Sequence, residues 1–259
     1  MPPSRAPSGF AYLDPPRPRA FAHRGGALEA EENTMAAFVH AAGLGYRYLE
    51  TDVRASRDGV AVVFHDATLD RMTGDPDRVD SRSWRELSGV RTRSGHALPR
   101  LDELLDAFPD LRINIEPKSD DVVGPMAEAI RRCDALGRVC VGSFDERRTR
   151  RARALLGEGL CWSPSHGAVA RLWLTGFHLP VGRTDFPAVQ VPPRHYGIPV
   201  VTRRFVSAAH ARGIEVHVWT VDEAEEMSRL LDLGVDGLMS DRPSLLKQVL
   251  VERGQWHGN

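Results

Sequence analysis

Cysteine is scarce in this sequence: Cys133, Cys140 and Cys161 are the only three among 259 residues, odd in number and without a CxxC spacing. A disulfide framework or a cysteine zinc site does not fit that usage, and a reducing compartment does. Long hydrophobic runs are also missing. No stretch reaches the roughly 18 apolar residues of a membrane span, and the first 23 residues hold no uninterrupted apolar segment of the secretory type. A cytoplasmic protein without stable membrane insertion is expected. Neither sign of charge is in excess: 34 Lys and Arg face 35 Asp and Glu, a formal net charge of −1. That balance argues against a basic nucleic-acid binder and against an acidic solvating tail. No repeat recurs at a 20–50-residue period, and nothing in the sequence fixes an oligomeric state.

Proline, by contrast, is concentrated: six of the 18 prolines fall in the first 18 residues, so residues 1–19 read as an extended N-terminal arm. Beyond it, short β-branched or apolar runs alternate with helical patterns. Strands are expected at 21–24, 48–53, 61–65, 112–116, 139–141, 160–162, 188–191, 215–219 and 235–239. Helices are expected at about 34–44 (opened by Asn33-Thr34 and ended by Gly45), 101–108, 122–133, 146–156, 204–212, 223–231 and 244–252. Strands that alternate with helices imply a parallel sheet. Nine strands are one too many for an eightfold barrel. However, only residues 54–60, with the turn signal Asp58-Gly59, separate the second run from the third, too few for a parallel crossover. The third run is therefore an accessory antiparallel hairpin strand, and the α/β chain reads as one (β/α)8 TIM barrel over residues 20–259. The polar stretch 66–99 is a small insertion near one barrel mouth. A doubly wound open sheet is the alternative, but no GxGxxG follows a strand.

Catalytic groups of such barrels sit at the C-terminal ends of the strands. Here those ends carry His23-Arg24-Gly25-Gly26, Glu50 and Asp52, His65-Asp66, and Glu116 with Lys118. Glu50 and Asp52 lie two apart and so leave one face of their strand, as do Glu116 and Lys118, leaving Ile113 and Ile115 to face the helices. Three carboxylates that converge on a mouth repel one another unless a cation neutralises them, and hard oxygen ligands suit Mg²⁺ or Ca²⁺. Two histidines supply a proton donor and acceptor near neutral pH. Arg24 and Lys118 suit an anionic substrate, and together these groups suit cleavage of a small-molecule phosphodiester. His40, His96, His166, His178, His195, His210 and His257 read as surface or capping residues, and Asn33-Thr34 as a helix cap rather than a ligand contact.

The segments HRG (23–25), ENT (32–34), AF (37–38), GYRYLETDV (45–53), DG (58–59) and VVFHD (62–66) together resemble the glycerophosphodiester phosphodiesterase family. NIEPK (114–118), GSF (142–144), VHVWTVD (216–222) and GVDGLMSDRP (234–243) extend the resemblance, in family order, over about residues 21–255. The resemblance implies a metal-dependent enzyme that releases sn-glycerol 3-phosphate and an alcohol, with His23 and His65 as general acid and base. It also implies Glu50, Asp52 and Glu116 as ligands of one Mg²⁺ or Ca²⁺ ion. Arg24 and Lys118 would contact the phosphate, and Trp219 would lie against the glycerol or alcohol unless it packs in the barrel core. His217 is left out of this set. The family's usual proline is Glu31 here, and Ser56-Arg57 replaces its usual Thr before DG. An alternative on the same fold is a lysophospholipase D-like phosphodiesterase, against which the polar insertion 66–99 favours water-soluble diesters. A non-catalytic barrel would have lost a histidine or a carboxylate.

Overall fold

The computed structural model describes residues 9–177 and 184–258. The strands are β1 (Arg19–Ala22), β2 (Tyr48–Ala55), β3 (Ala61–Val63), β4 (Arg112–Pro117), β5 (Val139–Gly142), β6 (Cys161–Ser163), β7 (Ala188–Val191), β8 (Arg194–His195), β9 (Ile198–Pro199), β10 (Glu215–Val218) and β11 (Gly237–Ser240). Eight of them run parallel in the order β6-β5-β4-β2-β1-β11-β10-β7. Between β6 and β7 no main-chain ladder forms among the described residues; the Gln190 N–H donates to Ser163 Oγ across that seam at 3.0 Å. The result is a nearly closed (β/α)8 barrel. As expected, β3 is antiparallel to β2, with Val53 opposite Val63 and Gly59 at φ +79° in the turn.

The helices are α1 (Met35–Gly43), α2 (Asp70–Thr73), α3 (Trp84–Leu87), α4 (Leu101–Ala107), α5 (Val123–Arg132), α6 (Glu146–Leu156), α7 (His166–Thr175), α8 (Arg203–His210), α9 (Ala224–Leu233) and α10 (Pro243–Glu252). None is long and apolar enough to cross a membrane. Five of these elements escape the sequence pattern: the four-residue helices α2 and α3 and the two-residue strands β8 and β9, too short for any periodicity, and α7, whose apolar stripe is broken by Gly167 and Arg171.

Alternation along each strand divides the interior in two. Leu49, Val53, Ile113, Ile115, Val189 and Val218 pack outward in one core with the helices. Inside the barrel Phe21, Tyr48, Cys140, Cys161 and Met239 form a second core, closed from below by Tyr12 and Leu13. The proline-rich stretch therefore differs from an extended arm in its described part. Residues Ala11–Leu13 make one 3-10 turn with both large side chains buried, and Arg19 already pairs with Gly237. The Arg19 guanidinium is almost fully buried there, donating to the Tyr48 hydroxyl and pairing with Glu215. The Tyr48 hydroxyl in turn donates to the Tyr12 carbonyl at 2.7 Å. Proline content signalled the loop, but the buried aromatic that anchors it carries no pattern. Stretch 66–99 has a small core of its own, in which Leu69, Met72, Val79, Leu87 and Leu98 pack on Val62 and Phe64 of the hairpin.

Candidate active site

The chain leaves β1 in a tight 3-10 turn, His23–Gly25, with Arg24 at φ +52°. Gly25, at φ +83°, has α1 so close behind it that a Cβ would lie 2.7 Å from that of Ala37. This turn aims the Arg24 N–H at Glu50 Oε2 (3.0 Å) and places His23 Nε2 3.7 Å from the same oxygen. His23 Nδ1 is held by Asp241 Oδ1 at 2.7 Å, just past β11. Asp222 steadies that loop, accepting from the Ser240 hydroxyl and the Asp241 N–H.

Asp52 is the most enclosed of the three carboxylates. Lys118 Nζ lies 3.3 Å from its Oδ1 and 3.2 Å from Glu116 Oε2, while Arg24 Nε lies 3.0 Å from its Oδ2. Asn33, at φ +55°, donates from its amide nitrogen to Asp52 Oδ2 and accepts the Thr51 hydroxyl through its amide oxygen. This corrects its expected role as a cap. Thr34 alone caps α1, accepting the Ala37 N–H, while Asn33 braces the carboxylate.

His65 stands where the hairpin ends. Its Nδ1 is bound to Asp66 Oδ1 at 2.6 Å, and its carbonyl accepts from Arg54 Nε. Asp66 is held by Arg71 of α2, which also grips both Glu32 oxygens at 3.0 and 2.6 Å; Glu32 reaches Arg24 at 3.3 Å. A chain of ions thus links the two histidine-bearing segments through the insertion. Glu31 ties the same loop to the insertion by accepting from the Thr92 hydroxyl and the Ser94 N–H. Asp241, Glu32 and Arg71 do not stand out as site residues in the sequence pattern. The first two lie inside motifs already noted, whereas nothing local marks Arg71.

Burial alone would drag His23 down, but the Glu50 carboxylate and the Asp241 hydrogen bond outweigh it and push it up to about 9. Burial raises Glu50 well above the ordinary carboxylate range, against the pull of His23. Burial also opposes ionisation of Asp52, but Lys118 and Arg24 overcome it and hold that carboxyl low. Glu116 is raised by burial despite Lys118. His65 is lowered, chiefly by burial, which outweighs Asp52. The two imidazoles are thus shifted in opposite directions.

Among the described residues, no three His, Cys, Asp or Glu side chains are gathered tightly enough to enclose a cation as they stand. Between Asp52 and Glu116 sits the Lys118 ammonium, a cation occupying the gap. The donor set still fits a hard divalent ion: buried carboxylate oxygens, one of them on Glu50, whose ionisation burial resists, already drawing positive charge inward.

His23, Arg24, Glu50, His65, Glu116, Lys118 and Trp219 all border one cavity of about 580 Å³, with Asp52 buried behind Lys118 and Arg24. Trp219 is half-buried and meets Phe144 edge-on, ring centroids 5.5 Å apart. It touches both the interior core and the cavity. His217 lies fully buried below, bonded to Glu215. His166 and His195, expected at the surface, are exposed and also border the cavity, at the start of α7 and in the β8–β9 hairpin. His40, His210 and His257 contact Glu29, Asp236 and the Arg17 carbonyl away from it. His178 lies outside the described residues.

Comparison with known proteins bears on the family and the fold. Residues 23–245 match the Glycerophosphoryl diester phosphodiesterase family. The chain is 44% identical over 248 residues to the probable glycerophosphodiester phosphodiesterase 2 of Mycobacterium tuberculosis, covering 92% of this chain and 93% of that one. Its fold is similar to a putative glycerophosphoryl diester phosphodiesterase from Silicibacter pomeroyi, with TM-score 0.79, 24% identity and coverage of 95% and 98%. It is also similar to an Oleispira antarctica phosphodiesterase solved with its product sn-glycerol-3-phosphate, with TM-score 0.75, 22% identity and coverage of 91% and 97%. The chain belongs to the glycerophosphoryl diester phosphodiesterase family.

Proposed function

We propose that this protein hydrolyses glycerophosphodiesters to sn-glycerol 3-phosphate and an alcohol, with metal dependence and histidine acid–base catalysis. One observation carries the reading. Two imidazoles face one cavity, each with its Nδ1 bound to an aspartate (His23 to Asp241, His65 to Asp66), beside the carboxylates Glu50 and Glu116 and the ammonium of Lys118. Tethered through Nδ1, each ring presents Nε2 for proton transfer in a fixed orientation.

In the chemistry this supports, the glycerol 2-hydroxyl oxygen bonds to phosphorus while its proton passes to one imidazole. The bond from phosphorus to the alcohol oxygen breaks, and the second imidazole protonates that oxygen. Water then opens the cyclic phosphate by the reverse proton transfers, restoring both rings. Lys118 and Arg24 place positive charge where the phosphoryl oxygens lie, and Asn33 and Glu32 keep Asp52 and Arg24 from moving. Glu50, Asp52 and Glu116 would hold a Mg²⁺ or Ca²⁺ ion, which would supply further charge stabilisation when bound. Trp219 forms a wall beside the glycerol or alcohol.

The test is ³¹P NMR of glycerophosphocholine incubated with the protein and each cation. The resonance of sn-glycerol 3-phosphate with release of free choline is expected. Phosphocholine with free glycerol, meaning scission on the other side of phosphorus, or an unchanged diester with every cation would overturn the reading.

A further inference from the structure

The barrel is least closed between β6 and β7, and the segments that leave those two strands each bring a histidine to the same place. His166 opens α7 just after β6, and His195 sits in the β8–β9 hairpin just after β7. Their ring centroids lie 5.7 Å apart, with the planes inclined by 36°. Both side chains are exposed and border the cavity, and among the described residues neither ring takes part in a hydrogen bond or an ion pair. Aromatic neighbours support them instead: His166 stacks on Phe144 at 5.0 Å, and His195 meets Tyr196 edge-on at 4.5 Å. Partial desolvation, and then the nearness of His195, hold His166 below the usual imidazole range, so near neutral pH its lone pair is free for a metal ion.

The spacing suits one shared ion. With a metal–nitrogen bond of about 2.1 Å, an imidazole centre lies about 3.2 Å from the metal, and two such rings at the tetrahedral angle stand about 5.2 Å apart. The observed separation is larger by about half an ångström, which exposed side chains cover by small rotations. We propose that His166 and His195 form a two-histidine site for a borderline transition-metal ion such as Zn²⁺ or Ni²⁺, which clasps α7 to the hairpin across the β6–β7 seam. Imidazole suits these ions, whereas the carboxylates Glu50, Asp52 and Glu116 suit Mg²⁺ or Ca²⁺, so ligand chemistry separates the two places. Among the described residues no third His, Cys, Asp or Glu completes the set, and water fills the remaining positions. The positive end of the α7 dipole and the neighbouring Arg194 oppose a cation there, which makes the site a reversible clasp rather than a permanent structural centre. The site stands independently of the phosphodiesterase reading.

The experiment uses the full chain in excess Mg²⁺, which occupies the carboxylates. Titrated Ni²⁺ should broaden the ring-proton NMR signals of His166 and His195, assigned with His166→Gln and His195→Gln, before those of any other histidine. Calorimetric affinity for Ni²⁺ should fall in each variant by at least about tenfold, the loss that even an outer-shell partner of a metal brings. In wild type alone, Ni²⁺ should raise the thermal midpoint and slow amide hydrogen exchange in α7 and the hairpin. Both positions are exposed, and the metal-free midpoints of the variants show whether the fold is kept. Equal Ni²⁺ affinity in wild type and both variants, or first broadening at His23 or His65, places the ion at the carboxylates and overturns the proposal. Ni²⁺ binding that leaves exchange in α7 and the hairpin unchanged overturns the clasp.

Discussion

The two halves of the cavity are built on opposite principles. At the ends of β1, β2, β3 and β4, side chains hold one another in place: Asp52 is bound by Lys118, Arg24 and Asn33, and His23 and His65 each by an aspartate. Across the cavity, α7 and the β8–β9 hairpin supply mostly apolar side chains (Val169, Ala170, Trp173 and Ile198) beside the exposed rings of His166 and His195. Fixed ionic geometry suits chemistry that tolerates little displacement. An apolar wall suits selection by size and hydrophobicity, where one methylene changes a rate modestly. Substitutions in the first half should therefore cost turnover, and those in the second should change preference.

The largest effect is expected for His65→Ala and His23→Ala. Removing one proton-transfer group should lower kcat by about 10²–10⁴, with thermal unfolding of the purified variants showing the fold retained. If either variant keeps near-normal kcat, the ionic half is not the chemical half. Next comes Arg71→Ala, which releases Asp66 and Glu32 together. We expect kcat to fall roughly tenfold with KM little changed, partial recovery in Arg71→Lys, and a shifted pH profile, because Asp66 would hold His65 less firmly. An unchanged profile would make Arg71 merely a surface ion pair.

A pH effect follows in the metal-free protein. His23 is raised to about 9, so the folded protein holds a proton that the unfolded chain releases above about 6.5. The stability this contributes is complete below pH 6.5 and is lost as pH climbs through 9. The buried Glu50 acts in the same direction at lower pH, since its folded form also binds its proton more tightly. Denaturation midpoints between pH 6.5 and 9.5 should therefore decline, less steeply in His23→Asn. Adding Mg²⁺ or Ca²⁺ should lower the His23 titration followed by NMR, as a cation at Glu50 replaces the imidazolium. The smallest effect on turnover belongs to the barrel floor: Tyr48→Phe deprives Arg19 and the Tyr12 carbonyl of partners at a cost of about 1–3 kcal/mol in stability, with kcat expected near wild type.

The same division explains what could be read in the sequence. Around the ionic half, residue types that are costly to bury break an otherwise apolar pattern at the strand ends, so Glu50, Asp52, Glu116, His23 and His65 stand out individually. The hairpin at Asp58-Gly59 gave the strand count, because its loop is too short for a crossover. The apolar half left no such mark. An apolar wall residue such as Val169 looks like any core residue in sequence, and His166 and His195 look like surface histidines until the seam between β6 and β7 brings them together. Arg71 falls in a polar insertion crowded with arginines, and only the fold shows which one reaches Asp66. Tyr12 was hidden for a related reason: proline content describes the path of a loop and not the aromatic residue that anchors it.

The most direct test of the account is glycerophosphocholine turnover by wild type and by His65→Ala in EDTA, then with Mg²⁺ or Ca²⁺ restored. Release of sn-glycerol 3-phosphate only by wild type, and only with the cation restored, is the predicted result. Full activity in EDTA, or in the variant, would contradict it.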